Sequence, residues 1–262
     1  MNLNLTDKAV IVCASSAGLG RAAALEFARE GANVMLASRR EKELRQAAAE
    51  IKAQTGREPG VTVADVTKPE DIERLVANTV SQFGGVYTLV NNSGGPPAGT
   101  FDSFDDAAWQ AAFELNLLSY VRAIRAVLPH LRQGGGGRIV NYASSSVKAP
   151  LENLLLSNTF RTGVMGLTKT LAGELGKDNI LVNLQAPGRI QTERLNQLDA
   201  MRATKTGSTP EQVRLDACKT IPLGRYGTPE EFAKLTVFLG SPANTYLTGQ
   251  TLVLDGGMTK AY

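Results

Sequence analysis

The stretch that decides the fold is residues 138–175, which contains the segments RIVNYASSS (138–146) and GLTKTLAGEL (166–175). The first segment is a short apolar run that ends in three consecutive serines, and a polar connection through Pro150 follows it. In the second part, valine and leucine recur at spacings of three and four, which places them on one face of a helix. A strand that ends in hydroxyl groups next to a helix is typical of the position at which α/β proteins carry their chemistry.

A second motif lies near the N-terminus, in the stretch KAVIVCASSAGLG (8–20). Its nearly continuous apolar run is typical of a parallel strand that is buried on both faces. A glycine turn and a helical pattern follow, which favours a phosphate-binding loop, because glycines let the backbone approach a pyrophosphate and a helix N-terminus supplies free N–H groups. A plain structural turn is the alternative. The candidate binding residues are Ser15, Ser16, Gly18, Leu19 and Gly20.

Apolar runs alternate with helical patterns along the whole chain. This alternation predicts the α/β class, with a single domain over residues 1–262. Right-handed crossovers then make the sheet a doubly wound Rossmann fold of about seven parallel strands, with helices on both faces. The predicted strands are 8–13, 33–37, 61–64, 86–90, 139–142, 180–188 and 250–254.

Composition narrows the function classes. The 262 residues are 43% hydrophobic and 20% charged, which is ordinary for a globular protein. The net charge of +3 is spread along the chain without a basic cluster, so we expect no nucleic-acid partner. Two cysteines and a single histidine, His130, predict neither a disulfide framework nor a metal site. No apolar run reaches the length of a membrane-spanning helix and no signal-peptide pattern is present, so we expect no membrane partner and a cytoplasmic protein.

These motifs resemble those of the short-chain dehydrogenase/reductase family, from about residue 5 to 257. RIVNYASS and GLTKTLAGEL are similar to its active-site segment, and the C-terminal half resembles the 3-oxoacyl carrier-protein reductase branch. The resemblance implies an oxidoreductase with a nicotinamide cofactor and a small-molecule carbonyl or alcohol substrate. Three other motifs match the family as well: CASSAGLG (13–20) is similar to its TGxxxGxG, NNSG (91–94) to its NNAG, and PGRIQT (187–192) to its PGxxxT.

The resemblance also implies which residues line the cofactor. Asp65 and Val66 would contact the adenine, although a cap or turn role is the alternative for Asp65. In the glycine loop, Cys13 and Ala14 replace the family's Thr and first Gly. If that first glycine position needs a positive φ, Ala costs about 1 kcal/mol there. The remaining predicted cofactor residues are Asn92, Ser93, Gly94, Pro187, Gly188, Ile190 and Thr192.

The end of the second strand indicates which cofactor is used. Ser38, Arg39 and Arg40 stand where dinucleotide folds that bind NAD(H) place a carboxylate on the ribose hydroxyls. Since no carboxylate is present and arginine matches a phosphate, we favour NADP(H) over NAD(H), with Ser38 and Arg39 as candidate contacts. A solvated start of the next helix is the alternative.

The active-site segment departs from the family pattern at two positions. In the family, Tyr follows the strand-end Ser by thirteen residues and Lys follows four residues later; the same count from Ser144 gives Ser157 and Arg161. Ser157 cannot replace the Tyr, because its side chain is shorter and its hydroxyl far less acidic. Arg161 keeps a positive charge that could bond the nicotinamide ribose or stabilise an oxyanion, but it is too weak an acid to deliver protons.

The candidate catalytic residues are therefore Asn116, Ser144, Ser157 and Arg161. The resemblance implies that Asn116 holds a proton-relay water and that Ser144 holds the substrate oxygen. Tyr142 lies two residues before Ser144 on the same strand, and we predict that it belongs to the core. A water held by Ser157 and Arg161 is the better candidate proton donor.

Three functions are compatible with this altered centre. The first is an NADP(H)-dependent carbonyl reductase or alcohol dehydrogenase with a non-standard proton path, and the second is an NADP(H)-binding sensor or partner subunit without turnover. The third, a non-redox lyase, ranks last because such relatives retain the Tyr and lack the glycine loop.

We further expect a substrate lid at 193–225, for which a solvated helical pair is the alternative. By analogy with the family, helices at 105–132 and 157–175 would pair subunits in a homodimer or homotetramer.

Overall fold

The computed structural model describes residues 1–261, and its centre is one sheet of seven parallel strands. The strand order is β3-β2-β1-β4-β5-β6-β7, which confirms the predicted doubly wound fold. Each strand lies within about two residues of its predicted bounds. The strands are β1 (Ala9–Cys13), β2 (Asn33–Ser38), β3 (Gly60–Val63), β4 (Thr88–Asn91), β5 (Gly137–Tyr142), β6 (Ile180–Pro187) and β7 (Thr251–Leu254).

Helices connect the strands, and the predicted lid segment also forms helices, α7 and α8. No helix within residues 1–261 is long and apolar enough to cross a membrane. The helices are α1 (Gly18–Arg29), α2 (Glu41–Thr55), α3 (Pro69–Phe83), α4 (Asp106–Phe113), α5 (Ser119–Gln133), α6 (Leu155–Leu175), α7 (Glu193–Thr206), α8 (Pro210–Lys219) and α9 (Pro229–Leu239).

Two apolar clusters cover the two faces of the sheet. Helices α1, α2 and α9 pack on one face, where Phe27 and Phe232 are fully buried. Helices α3, α5 and α6 pack on the other face around Leu75 and Val127. In β1, between β2 and β4, all five residues are buried, as the continuous apolar run predicts.

A π-helical turn, Glu114–Leu118, joins α4 to α5. The sequence pattern predicts one regular helix over 105–132, and nothing in it indicates this turn. Asn116 lies within the turn and is fully buried. Turns of this kind occur frequently at functional sites.

The topology of the sheet positions the site. β1 lies between β2 and β4, so the chain moves outward in opposite directions from this point. Ligands of doubly wound proteins bind at such a switch point, in the crevice at the carboxyl ends of the strands. The predicted residues of the glycine loop, of the β2 end and of the segments after β3, β4, β5 and β6 all lie at these carboxyl ends. Asn116, Ser157 and Arg161 are contributed by helical segments.

Candidate active site

The loop between β1 and α1 has the backbone geometry of a phosphate cradle. Ala14 and Gly18 have positive φ angles of 49° and 55°. A side chain at Gly20 would place its Cβ 2.4 Å from the carbonyl oxygen of Ala14, so only glycine allows this close approach. The N-cap residue of α1, Ala17, makes no side-chain cap, which leaves the first N–H groups of the helix available. The pyrophosphate of a dinucleotide fits this position.

The two substitutions in this loop have different consequences. Ala14 does adopt the positive φ, so the strain of about 1 kcal/mol expected from the sequence applies. The Cys13 thiol is buried below the loop, and burial raises its pKa to about 12, although a hydrogen bond from the Asn92 backbone acts in the opposite direction. The thiol is therefore neutral and contributes packing.

A polar cluster lies at the carboxyl ends of β1 and β2. The hydroxyl oxygens of Ser16 and Ser38 are 2.9 Å apart, and Arg40 Nη2 donates to Ser16 Oγ at 3.3 Å. The backbone N–H of Arg40 donates to Ser38 Oγ, also at 3.3 Å. Two hydroxyls and a guanidinium match the oxygens of a phosphate group on the adenosine ribose. The structure thus adds Arg40 to the site. The sequence pattern does not indicate that Arg40, rather than Arg39, lies in this cluster.

Arg39 is directed to a carboxylate, with Nη1 3.7 Å from Asp65 Oδ2. Asp65 also accepts hydrogen bonds from the Thr67 backbone N–H at 3.0 Å and from the Thr67 hydroxyl at 2.8 Å, so it has the turn role of the alternative interpretation. Burial acts to raise the pKa of Asp65, but the Thr67 hydrogen bonds and the charges of Arg39 and Lys68 outweigh it and hold the pKa below its usual value. An adenine contact by Asp65 and Val66 would be made from this charged turn.

The segment after β6 lies against the glycine loop. Thr192 is the N-cap of α7, where its hydroxyl accepts from the Leu195 backbone N–H at 3.3 Å. The Thr192 methyl carbon is 3.5 Å from where a Cβ on Gly18 would be. At Gly188 a Cβ would lie 2.3 Å from the Asp255 Cβ, so glycine is required there. The predicted PGxxxT segment therefore reaches the cofactor loop at Thr192.

Asn116 is buried beside the loop that follows β4. Its amide nitrogen donates to the Gly94 carbonyl at 2.7 Å and to Ser93 Oγ at 3.0 Å. Because a carbonyl only accepts, the amide nitrogen and not Oδ1 faces Gly94. Within residues 1–261, Asn116 Oδ1 has no donor, and a buried acceptor of this kind is usually satisfied by a bound water. This geometry fits the water-holding role expected of Asn116.

Arg161 is 5% exposed, and its guanidinium is directed into the protein. Nη1 donates to the Tyr120 hydroxyl at 2.8 Å and to the Tyr142 carbonyl at 3.0 Å. Nη2 lies 3.4–3.5 Å from acceptor oxygens of Ser93 and Gly94, at the limit of hydrogen bonding. Arg161 thus ties the end of β5 to the loop after β4. Sequence reasoning missed Tyr120, whose hydroxyl also donates to the Tyr142 carbonyl at 2.9 Å.

The two predicted catalytic serines have different surroundings. Ser144 Oγ accepts from the Ser146 backbone N–H at 3.1 Å, which caps the turn after β5. Ser157 lies in the first turn of α6 and is half-buried, and its hydroxyl makes no hydrogen bond to any other described residue. Tyr142 belongs to the core, as predicted, because it is 2% exposed and its hydroxyl lies 2.7 Å from Thr236 Oγ1. Burial raises the Tyr142 pKa above its ordinary value, so this phenol is no proton donor for the cleft.

The fold and these contacts define a dinucleotide-binding protein of the doubly wound α/β class. Its glycine loop lies at the switch point, a cluster suited to a phosphate lies beside it, and a serine caps the turn that follows β5. Comparison with known proteins makes the assignment more specific. The family model described as "Enoyl-(Acyl carrier protein) reductase" matches residues 13–259.

Similar proteins cover almost the whole chain. The 3-oxoacyl-(acyl-carrier-protein) reductase FabG of Thermotoga maritima is 33% identical over 98% of this chain and 99% of its own. Human dehydrogenase/reductase SDR family member 4 is 35% identical over 97% of this chain and 88% of its own. The solved structure of L-sorbose reductase from Gluconobacter frateurii, complexed with NADPH and L-sorbose, has a TM-score of 0.95 and 34% identity, with 100% of both chains covered.

The chain therefore belongs to the short-chain dehydrogenase/reductase family. Family and fold confirm the predictions of an enzyme of the oxidoreductase class that uses a nicotinamide cofactor. The open N-terminus of α1 and the glycine-dependent contact at Gly20 fit such a cofactor in this chain itself.

Proposed function

We propose that the protein is an NADP(H)-dependent reductase of small carbonyl compounds whose proton donor is a bound water. The observation that carries the cofactor preference is the cluster of Ser16, Ser38 and Arg40, together with the lack of a carboxylate at the end of β2. A carboxylate there would repel a 2′-phosphate, whereas a guanidinium and two hydroxyls attract it. The NADPH complex of the similar L-sorbose reductase supports the same preference.

The residues of this chain orient the carbonyl group and deliver a proton to it. When bound, the reduced nicotinamide supplies the hydride for the carbonyl carbon. Ser144 Oγ, held at the end of β5, donates to the carbonyl oxygen and stabilises the negative charge that develops there. A water beside Ser157 protonates that oxygen and is itself reprotonated from solvent, and Asn116 Oδ1 anchors the water chain. The short Ser157 side chain leaves the room that this water needs.

Arg161 acts as a positioning residue in this proposal. Its two terminal nitrogens are committed to acceptors in the end of β5 and the loop after β4, rather than to the cleft. This fixes the main chain at Tyr142, two residues before Ser144, and at Ser93 and Gly94, which hold Asn116. The fixed positive charge also stabilises negative charge developing in the cleft.

The lid, the assembly and the compartment are further parts of the proposal. Helices α7 and α8 act as the substrate lid over the cofactor segment. A homodimer or homotetramer is supported by half-exposed aromatic residues of α4 and α6, where Trp109 and Phe113 pack on Phe160 with ring centroids 5.8 and 6.0 Å away. A cytoplasmic location is in keeping with Cys13 and Cys218, which are both free thiols.

A second candidate function is an NADP(H)-binding protein without turnover. It is favoured by the lack of an acidic group at Ser157, since Arg161 Nη1 is also committed to the Tyr120 hydroxyl and the Tyr142 carbonyl. In that function the cradle around Gly18 and the Arg40 cluster would bind the nucleotide in a sensor or partner subunit. Substrate-dependent oxidation of the nucleotide distinguishes the two candidates.

The test starts with fluorescence titrations of the purified protein with NADPH and NADH. We expect NADPH to bind at least about tenfold more tightly, since charged hydrogen bonds to a phosphate contribute about 1.5–3 kcal/mol. Arg40→Met should weaken NADPH binding by about 10- to 100-fold and leave NADH within about twofold. Arg45→Met, at an exposed arginine of α2, is the matched control and should change neither.

A carbonyl panel with NADPH completes the test, including L-sorbose and a 3-oxoacyl thioester. Oxidation of NADPH by any member supports the reductase, and tight binding without oxidation supports the second candidate. Equal affinity for NADH, unchanged in Arg40→Met, contradicts the cofactor preference. If neither nucleotide binds, the proposal is wrong at the glycine loop, where Ala14 is the first residue to replace.

A further inference from the structure

Arg194 connects the lid to the loop that follows β4. It lies in the first turn of α7, two residues after the N-cap Thr192 that contacts the cofactor loop. Its Nη2 donates to the Pro96 carbonyl at 3.0 Å. The guanidinium covers Gly95, since a Cβ built there would lie 3.4–3.7 Å from three of its atoms. The side chain therefore spans the mouth of the cleft between the lid and the active-site loop.

The Arg194 guanidinium has unused hydrogen-bonding capacity. Within residues 1–261 it forms no ion pair, and the bond to Pro96 uses one of five N–H donors. The residue as a whole is exposed, although partial burial of the side chain against the loop lowers the pKa of Arg194 from its usual value, and the group remains charged at neutral pH. The donors that do not bond Pro96 are therefore accessible to a ligand at the mouth of the cleft. A guanidinium with free donors at this position, beside the active-site loop, is suited to an anion that arrives with the substrate.

The position of Arg194 is fixed by a buried anchor further along α7. Asp199 is 5% exposed and accepts from Arg189 Nη1 at 3.1 Å and from the Tyr226 hydroxyl at 2.9 Å. Burial, followed by the Asp199 carboxylate, raises the pKa of Tyr226 to about 12, so this hydroxyl stays a donor. The anchor joins α7 to the segments before it and after α8. Arg194 is thereby held in place before a ligand binds, which lowers the entropy cost of binding.

The loop that Arg194 covers also belongs to the catalytic centre. Gly94, next to Gly95, accepts the Asn116 amide and lies 3.5 Å from Arg161 Nη2. A group bound to Arg194 would therefore be close to the predicted catalytic residues. The planar fork of a guanidinium matches the two oxygens of a carboxylate, and its single positive charge balances one negative charge, whereas a phosphate dianion would keep one charge unbalanced.

We propose that Arg194 is a substrate-recognition residue and that the preferred substrates are small oxo acids, whose carboxylate it binds while the carbonyl group lies at Ser144. This deepens the proposed function and rests on it. The expected contribution of the pairing is about 10- to 100-fold in affinity.

The experiment compares 2-, 3- and 4-oxopentanoate, each with its methyl ester. The three acids differ in the spacing between the carbonyl group and the carboxylate. Dissociation constants are measured by calorimetry on the full-length protein with NADP⁺, and kcat/KM by oxidation of NADPH. At least one acid should bind about tenfold more tightly than its ester. Arg194→Met should weaken binding of that acid by about 10- to 100-fold and binding of the ester by less than about threefold. The affinity of Arg194→Lys for the acid should lie between those of wild type and Arg194→Met.

Arg202→Met, at an exposed arginine of the same helix, is the matched control and should leave both constants within about twofold. A thermal melt verifies that each variant is folded. The inference is overturned if no acid binds better than its ester, or if Arg194→Met weakens acid and ester equally. If binding is selective for the acid and depends on Arg194, but no NADPH is oxidised, the recognition site stands and the proposed reductase activity is wrong. The failure of this inference and the failure of the proposed function are therefore distinguishable.

Discussion

The two ends of the ligand cleft depart from the family pattern in different ways. At the glycine loop, Cys13 and Ala14 replace the usual residues, yet Ala14 retains a positive φ and the N-terminus of α1 remains open. At the catalytic end, Ser157 and Arg161 replace Tyr and Lys, and Arg161 is turned inward onto the Tyr120 hydroxyl. The first end keeps its geometry through the backbone, whereas the second end has lost the side chains that its chemistry used.

This contrast follows from what each end must do. A pyrophosphate is bound by main-chain N–H groups, which every residue but proline supplies, so a substitution costs only the strain of one residue, about 1 kcal/mol. Proton transfer depends on one acidic atom at one position, and loss of that acid typically costs about 10²–10⁴ in rate. A family member can thus retain its cofactor site while its chemistry slows or changes.

The largest expected effect comes from rebuilding the catalytic end. The double variant Ser157→Tyr/Arg161→Lys restores a phenol and an ammonium group at the family spacing. We expect kcat/KM for NADPH-dependent reduction to rise by about 10²–10⁴, because a positioned general acid replaces water. Steady-state oxidation of NADPH measures it, with the two single variants as controls that gain much less. If kcat/KM of the double variant does not rise while its NADPH affinity is unchanged, the loss of Tyr and Lys does not explain the difference between the two ends of the cleft.

A smaller effect tests whether Arg161 is part of the architecture. Arg161→Met should lower the free energy of unfolding by about 2 kcal/mol, since the Tyr120 hydroxyl and the Tyr142 carbonyl lose a charged donor. Urea denaturation measures this, and NADPH affinity should change less than about threefold. Ser157→Ala, which removes no hydrogen bond, is the control, with a change below about 0.5 kcal/mol. A variant of wild-type stability that binds NADPH more than tenfold more weakly would assign Arg161 to the cofactor instead.

The smallest effect concerns the glycine loop. Ala14→Gly should raise the free energy of unfolding by about 0.5–1 kcal/mol, because relief of the left-handed strain exceeds the entropy that glycine adds to the unfolded chain. NADPH affinity should remain within about twofold. Ala17→Gly, at an N-cap position with extended backbone, controls for the substitution itself and should change stability by only a few tenths of a kcal/mol. If Ala14→Gly instead strengthens NADPH binding tenfold, the backbone at this end is not equivalent to that of the family.

Most of the fold could be predicted from the sequence by itself. Buried parallel strands appear as continuous apolar runs and helices as a 3.6-residue period, and both patterns are local properties of the chain. The order of strands and helices then places the glycine loop and the end of β5 at one edge of the sheet, because chain connections have a fixed hand. The core position of Tyr142 followed from the same alternation.

Only the tertiary structure decided where the long side chains point. Arg161 turns to Tyr120, 41 residues away, and Arg194 to Pro96, 98 residues away, while the choice of Arg40 for the serine cluster depends on a different strand. An arginine has many rotamers of similar energy, and the acceptors that select one of them are supplied by elements distant in the sequence. Local patterns determined which residues reach the cleft, and long-range packing determined what their charged groups do there.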